Sequence, residues 1–375
     1  MRFGFAFVCL FWFSILAVAQ PQDSIRAHFI KTYSDKFFLW PVIKRRSLSF
    51  ELQNSKQNSN TVRFKPNNSY SLGIGMYLFD LGLELVFAVP LDQQKESSFG
   101  KTKAQDIQLN ILSRKWGGDI FYQRYQGFYL SNPDTPPPAS EVFPQRPDFQ
   151  TENFGASGFR VFNHKKFSLR SAFTFADRQL KSSGSFLLSG TFNYFHLTAD
   201  SAVLNAHYAT RIGLQNSFTS LHYQTISAAP GYAHNFILNK FFLSVSLALG
   251  PAVHWLQYQD ISGIERSVTT VNTFADGRVA LGYSTDRFFS GVTFTNQVRN
   301  VKFDNIQFGS SSSTFRLLFG WRFQEFGILK KSVWGLLPPW GKRVYTSLPK
   351  FLRFRVIKKY EFTTTALGCF PGINV

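Results

Sequence analysis

Cysteine is almost missing from this chain: Cys9 and Cys369 are the only two in 375 residues. Cys9 falls in an N-terminal stretch expected to be removed, so one thiol would remain and no internal disulfide framework is expected. No Cys pair exists, and the seven histidines (His28, His164, His196, His207, His222, His234, His254) show no metal-ligand spacing. A metal site or other cofactor is therefore not expected. Beyond the N-terminus no run reaches 18 apolar residues, which excludes a helical membrane span. Helical periodicity is scarce throughout. No Gly-x-Ser-x-Gly elbow occurs, so the most recognisable serine nucleophile is absent. Acid is short as well: 22 Asp and Glu stand against 41 Lys and Arg, a formal charge of +19.

The chain opens with MRFGFAFVCLFWFSILAVAQ. Arg2 supplies a positive start, Gly4 to Val18 an apolar core of 15 residues, and Ala17-Val18-Ala19 a small-x-small cleavage site. Residues 1–19 read as a secretory signal peptide. The core is shorter than the roughly 20 residues a spanning helix needs. Cys9 sits mid-core behind Phe7 and Val8, which is not a lipoprotein arrangement. Export directs the basic mature chain away from nucleic acid. Lipopolysaccharide, peptidoglycan or anionic solutes fit its charge instead.

What is abundant is phenylalanine, 44 residues, with aromatics at 17%. Apolar residues alternate with small or polar ones in segments of about ten. Leu81, Leu83, Leu85 and Phe87 alternate with Gly82, Glu84, Val86 and Ala88. Phe167, Leu169, Phe173 and Phe175 alternate with Ser168, Arg170, Ala172 and Thr174. Phe241, Leu243, Val245 and Leu247 alternate with Phe242, Ser244, Ser246 and Ala248. In STFRLLFGWRF (313–323) Phe315, Leu317, Phe319, Trp321 and Phe323 share one parity. The polar face is rich in Gly, Ser and Thr, which suits a crowded lumen better than bulk water. Short links near 79–80, 115–118, 163–166, 238–240 and 284–286 alternate with longer ones near 55–67, 90–103, 130–150, 257–266 and 301–311. These features predict an all-β fold, a transmembrane antiparallel up-and-down β-barrel in the cell outer membrane. The count is 14 strands if 47–54 is the first and another lies within 200–213. Without those two it is 12. The expected organisation is a signal peptide (1–19), a periplasmic segment or partial plug (20–46), the barrel (47–326) and a basic tail (327–375). The tail carries nine Lys or Arg against one acid, Glu361.

Parity points Glu51, Glu84, Asp106, Arg114, Arg170, Asp276, Arg278, Arg299, Arg316 and Arg322 into the lumen. Six arginines against four acids allow two readings. One is an anion-favouring constriction. The other is a mutually paired ladder filling a narrow barrel. The functions that follow are a narrow channel for small anionic solutes or a structural barrel. A rim-type lipid hydrolase using His207 or His222, or a surface binder acting through 131–150, are the alternatives. No enzyme activity is expected from the motifs present. The implied partners are outer-membrane lipid and lipopolysaccharide, the barrel-assembly machinery, and an anionic cell-wall polymer met by the tail.

The blocks TYSDKFFLWPVIKRRSLSFEL (32–52), FKPNNSYSLGIGMYLFDLGLELVFAVP (64–90), YQGFYL (125–130) and GSFLLSG (184–190) resemble those of a Bacteroidetes family catalogued as a domain of unknown function, DUF4421. The resemblance runs from Thr32 to Phe323. It implies an outer-membrane barrel and brings no catalytic residues with it.

Overall fold

The computed structural model describes residues 24–56, 61–78, 81–133, 142–214 and 217–327. In chain order the elements are α1 (Ser24–Phe29), β1 (Ile30–Thr32), β2 (Lys36–Asn54), β3 (Val62–Lys65), β4 (Ser71–Leu78), β5 (Leu81–Ala88), α2 (Gln93–Phe99), β6 (Lys103–Leu112), β7 (Trp116–Leu130), β8 (Gln145–Val161), α3 (Arg170–Phe173), β9 (Asp177–Gln179), β10 (Ser183–Thr198), α4 (Ala206–Arg211), β11 (Phe218–Leu238), β12 (Phe241–Asp260), β13 (Glu265–Ser284), β14 (Phe288–Phe303) and β15 (Ile306–Gln324).

Ten strands close an antiparallel ring: β2, β3, β7, β8 and β10 to β15. The last strand returns to the first, from Ile306 opposite Asn54 to Gln324 opposite Lys36. STFRLLFGWRF thus belongs to the closing strand. The wall begins at Lys36, earlier than the alternation from residue 47 indicated. Of the preceding segment, α1 and β1 sit apart from the wall, and β1 pairs with β9.

At one place the ring forks. β3 joins β2 at Phe50–Leu52 and β7 at Tyr129 and Leu130. Elsewhere along their length β2 and β7 part. β4 pairs with β2 and β5 with β4, while β6 pairs with β7. No strand pairing joins β5 to β6.

Each long strand forms because its side chains face two different media. On β12, Phe241, Leu243, Val245, Leu247 and Leu249 are exposed outside, while Ser244, Ser246, Ala248, Ala252 and His254 are buried inside. The same exposed apolar belt runs around β5, β6, β11, β13, β14 and β15. A belt this extensive on a protein in water would aggregate; against lipid it is the expected surface. Aromatic side chains crowd its tight-turn end, where Phe37 stacks on Phe323 at 5.2 Å and Phe288 meets Phe319 at 4.3 Å.

Two expected strands do not form. Residues 167–175 hold α3, and 200–213 hold α4. For 167–175 the reason is burial from every side. Phe167, Leu169, Ala172, Phe173, Phe175 and Ala176 all sit in one apolar cluster inside the tight-turn end, packed on Phe38, Trp40, Phe242 and Phe289. At the other, long-loop end, Val203, Leu204, Ala209, Ile212 and Leu214 pack into a second interior cluster with Phe50, Phe195, Phe218 and Phe308. Residues 167–175 have no side left to face lipid, while 200–213 bury one face in the barrel mouth and leave Asn205, His207 and Thr210 exposed. Two links expected to be long are tight, 261–264 and 304–305, and residues 145–150, expected in a loop, enter β8. The tail from 328 onward and the signal segment 1–19 lie outside the described residues, as does the middle of the 131–150 loop.

Candidate functional site

Two apolar clusters leave a polar band between them. Along β2 the inward residues read Phe38, Trp40 and Val42, then Lys44 and Arg46, then Leu48, Phe50 and Leu52. On β15 they read Leu318, then Arg316, Thr314 and Ser312, then Phe308. The band is the candidate site.

Its centre is Arg278. The guanidinium meets Asp276 through Nη2 at 2.8 Å and Nε at 3.2 Å, and reaches Asp119 across the lumen at 3.2 Å. All three side chains are buried, so each charge depends on the others for solvation. Arg299 is also buried. It donates to Gln297 Oε1 at 3.2 Å and stacks over Phe274, its centre 5.0 Å from the ring. A second group forms around Glu84, which accepts from Arg316 at 2.5 Å, Lys44 at 3.3 Å and the Trp40 indole at 3.2 Å. Gly75 makes room for that indole, because a Cβ there would lie 2.0 Å from the ring. A third pairs Arg46 with Asp106, which also accepts from Tyr125 at 2.7 Å and Gln123 at 2.9 Å.

Seven of the ten residues expected in the lumen enter it from strands: Glu84, Asp106, Asp276, Arg278, Arg299, Arg316 and Arg322. Arg170 also enters, but from α3 inside the barrel, where it donates to the Tyr77 hydroxyl at 2.5 Å. Glu51 does not. Phe50 and Leu52 occupy the inward positions beside it, and Glu51 pairs outside with Arg63 at 2.8 Å. Arg114 does not either; it is exposed in the turn between β6 and β7. Sequence parity missed Lys44, Arg46 and Asp119. The first two needed β2 to begin at Lys36. Asp119 shares a parity with Phe121, Gln123 and Tyr125, which was the available signal.

The tight-turn end is filled by residues 162–182. Arg322 donates to the Phe175 carbonyl at 2.7 Å, and Arg316 to the Phe173 carbonyl at 3.3 Å. Asn235 donates to the Ser168 carbonyl at 2.9 Å. Phe175 takes a positive φ of 55° and stacks on Phe289 at 4.7 Å. Asp177 accepts from Arg26 at 2.9 Å and Ser168 at 2.6 Å. Burial by itself would raise the Asp177 carboxyl, but Arg170, Arg26 and the Ser168 hydroxyl outweigh it and hold the group below the usual carboxylate range. At the rim, burial pushes the Tyr33 phenol up to about 12 against the lowering effect of Arg322, and the phenol donates to Asp286 at 2.9 Å.

Outside the barrel, at the long-loop end, Glu152, His196 and His222 lie opposite one another on β8, β10 and β11. His196 Nε2 is 3.5 Å from the Ser220 hydroxyl. His207 sits apart, on α4. Among the described residues, no group of three or more His, Cys, Asp or Glu is placed to hold a metal ion.

A closed ring, an apolar exterior and a charged, filled interior together define a transmembrane antiparallel β-barrel. The chain belongs to the family described as Domain of unknown function (DUF4421), which matches residues 21–323. No curated protein matches it in sequence. Among solved structures it is similar to the translocator domain of autotransporter NalP from Neisseria meningitidis: 9% identity and a TM-score of 0.30, over 78% of this chain and 90% of that one. It is similar also to OmpT of Vibrio cholerae (9% identity, TM-score 0.25, 77% and 99% covered) and to Ail of Yersinia pestis (10%, 0.18, 77% and 99%). Likeness at this level carries nothing about function.

Proposed function

We propose that this protein is an outer-membrane barrel that is closed to solutes at rest, a structural barrel rather than an open anion channel. The observation that supports this is the filling of the lumen from both ends, by 162–182 at the tight turns and by 199–214 at the long loops. The charges between the two fillings are spent on one another: Arg278 on two aspartates, Arg46 on Asp106, and Lys44 and Arg316 on Glu84. An open anion constriction would need arginines facing water. On this reading the tight-turn end faces the periplasm. The partners are then lipid, lipopolysaccharide and the barrel-assembly machinery, with an anionic wall polymer for the basic tail.

Planar-bilayer recording tests it. The full-length protein gives no conductance steps at any moderate voltage. A variant in which 162–182 is replaced by a two-residue turn conducts, or conducts once 199–214 is also shortened. Anion-selective steps from the unaltered protein, reversed in preference by Arg278→Glu, would overturn the closed reading.

The contact of His196 with Ser220, with Glu152 opposite His196, favours a second reading, a rim hydrolase acting on lipid, since a base beside a hydroxyl is the minimum for acyl transfer. Hydrolysis of phospholipid or lipid A by the purified barrel, lost in both Ser220→Ala and His196→Ala, would establish it. Absence of hydrolysis in detergent and in vesicles removes it.

A further inference from the structure

Among the described residues the wall has one seam. β5 and β6 are consecutive in the circuit from β2 to β7, yet no backbone pairing joins them. Every other neighbouring pair in the wall is laddered. In a bilayer core, unpaired strand edges carry N–H and C=O groups with no water to satisfy them. A seam there is costly unless something polar reaches it.

A cavity of about 190 Å³ stands behind the seam, in the polar band. Most of its lining comes from inward side chains such as Lys44, Arg278 and Arg316. Only β5 and β6 also contribute side chains that face outward: Leu83, Leu109 and Ile111, all exposed on the apolar surface. The lining thus includes residues of both faces of the wall at the seam, and nowhere else. The lip is greasy and the floor is charged.

The floor next to the seam is cationic by one charge. Lys44 and Arg316 both depend on the single carboxylate of Glu84, which β5 itself supplies. Among the described residues Arg316 Nε has no hydrogen-bond partner. Two cations sharing one acid, beside an opening lined with leucine and isoleucine, match a ligand that is anionic at one end and a hydrocarbon at the other.

We infer that the β5–β6 seam is a lateral binding site for an acyl amphiphile with an anionic head, a carboxylate or a phosphate, whose head sits by Lys44 and Arg316 while its chain stays in the bilayer along Leu83, Leu109 and Ile111. The head accepts from unpaired N–H groups of the strand edges, and the wall stays sealed to ions while it does. The site rests on the closed membrane barrel proposed above.

The test uses the full chain in neutral detergent, with oleate and lysophosphatidate as anionic probes and monoolein as the uncharged one. Both anions bind and monoolein binds at least tenfold more weakly. Comparing the two anions tells which head chemistry is preferred. Lys44→Gln weakens the anions at least tenfold without changing monoolein, and Glu84→Gln tightens them. Where a variant does not fold, the unaltered protein decides: a photoactivatable fatty acid crosslinks to the peptides holding Leu83 and Ile107–Ile111. Equal binding of monoolein and oleate overturns the site, as does crosslinking spread around the belt. Acetate competing as strongly as oleate shows an aqueous lumenal site instead, and overturns the lateral route. Failure of the protein to float with vesicles would sink the membrane reading itself; a floating barrel without anion preference sinks only this inference.

Discussion

Replacing Asp276 by Asn isolates what the central charges are worth. In the folded protein Arg278 is buried and spends four contacts on two aspartates. Asp276→Asn removes the bidentate partner and leaves only the 3.2 Å contact to Asp119. It also removes the acid whose charge favours the buried Arg299. Two cations and two carboxylates become two cations and one carboxylate in a space water barely enters. Breaking a buried pair in this way costs about 3–5 kcal/mol. The double variant Arg278→Met, Asp119→Asn keeps the count balanced, with Asp276 facing Arg299, and fills the guanidinium's volume. It is expected to cost less than about 1.5 kcal/mol, since hydrophobic replacement of a buried ion group is often near neutral. The assay is urea unfolding of the barrel refolded into vesicles, followed by tryptophan emission and by heat-modifiable migration on gels. Two results would refute the reasoning. One is an Asp276→Asn barrel as stable as the original. The other is a double variant that loses as much as the single one.

Phe175→Ala empties a stacked, fully buried position and is expected to cost about 3–5 kcal/mol; Phe175→Gly, free to take the positive φ, is expected to be less damaging by about 0.5–1 kcal/mol, read from the same unfolding curves. The Asp177 carboxyl lies below its unfolded value, so its contact with Arg26 contributes above about pH 4 and is lost as pH falls through the folded value. Hydrogen exchange in 24–32 should therefore rise at acid pH, and Asp177→Asn should show that rise already at neutral pH. A chain ending at Phe326 retains all of β15 and its ladder to β2, so it is expected to insert and migrate as a heat-modifiable barrel. Failure to insert would mean that assembly depends on the tail. Leu247→Arg, in the exposed belt, is expected to cost about 2–4 kcal/mol if that position lies near the bilayer midplane, whereas Glu51→Gln should change stability by under about 0.5 kcal/mol.

The period of two was legible because lipid and lumen are different solvents, and each strand records both. It misled where a segment meets protein on all sides. FSLRSAFTF alternates as cleanly as any strand, yet Phe175 stacks on Phe289 inside the barrel and nothing in the pattern marks the difference. Helices of four and six residues are too short for a 3.6-residue period to emerge. Parity placed the inward charges well wherever the strand itself was recognised, as with Glu84, Asp276 and Arg316. It failed at Glu51, where Phe50 and Leu52 are apolar because they face a filled lumen, not lipid. The seam was not legible at all. Which strand ladders with which is a property of partners, and one chain's alternation carries no record of a missing neighbour.

The four-residue strand β3 has a mechanical consequence. It straps β2 to β7 at the long-loop end, so the barrel is hooped there whatever β4, β5 and β6 do. Those three strands hang in the wall like a pleat sewn to each side and unstitched down the middle. Strain that spreads the pleat is borne by the hoop above it and by the long β12–β13 ladder across the lumen. The opening can thus widen and narrow without the circumference coming undone, and its two short edges offer little length for another chain to grip.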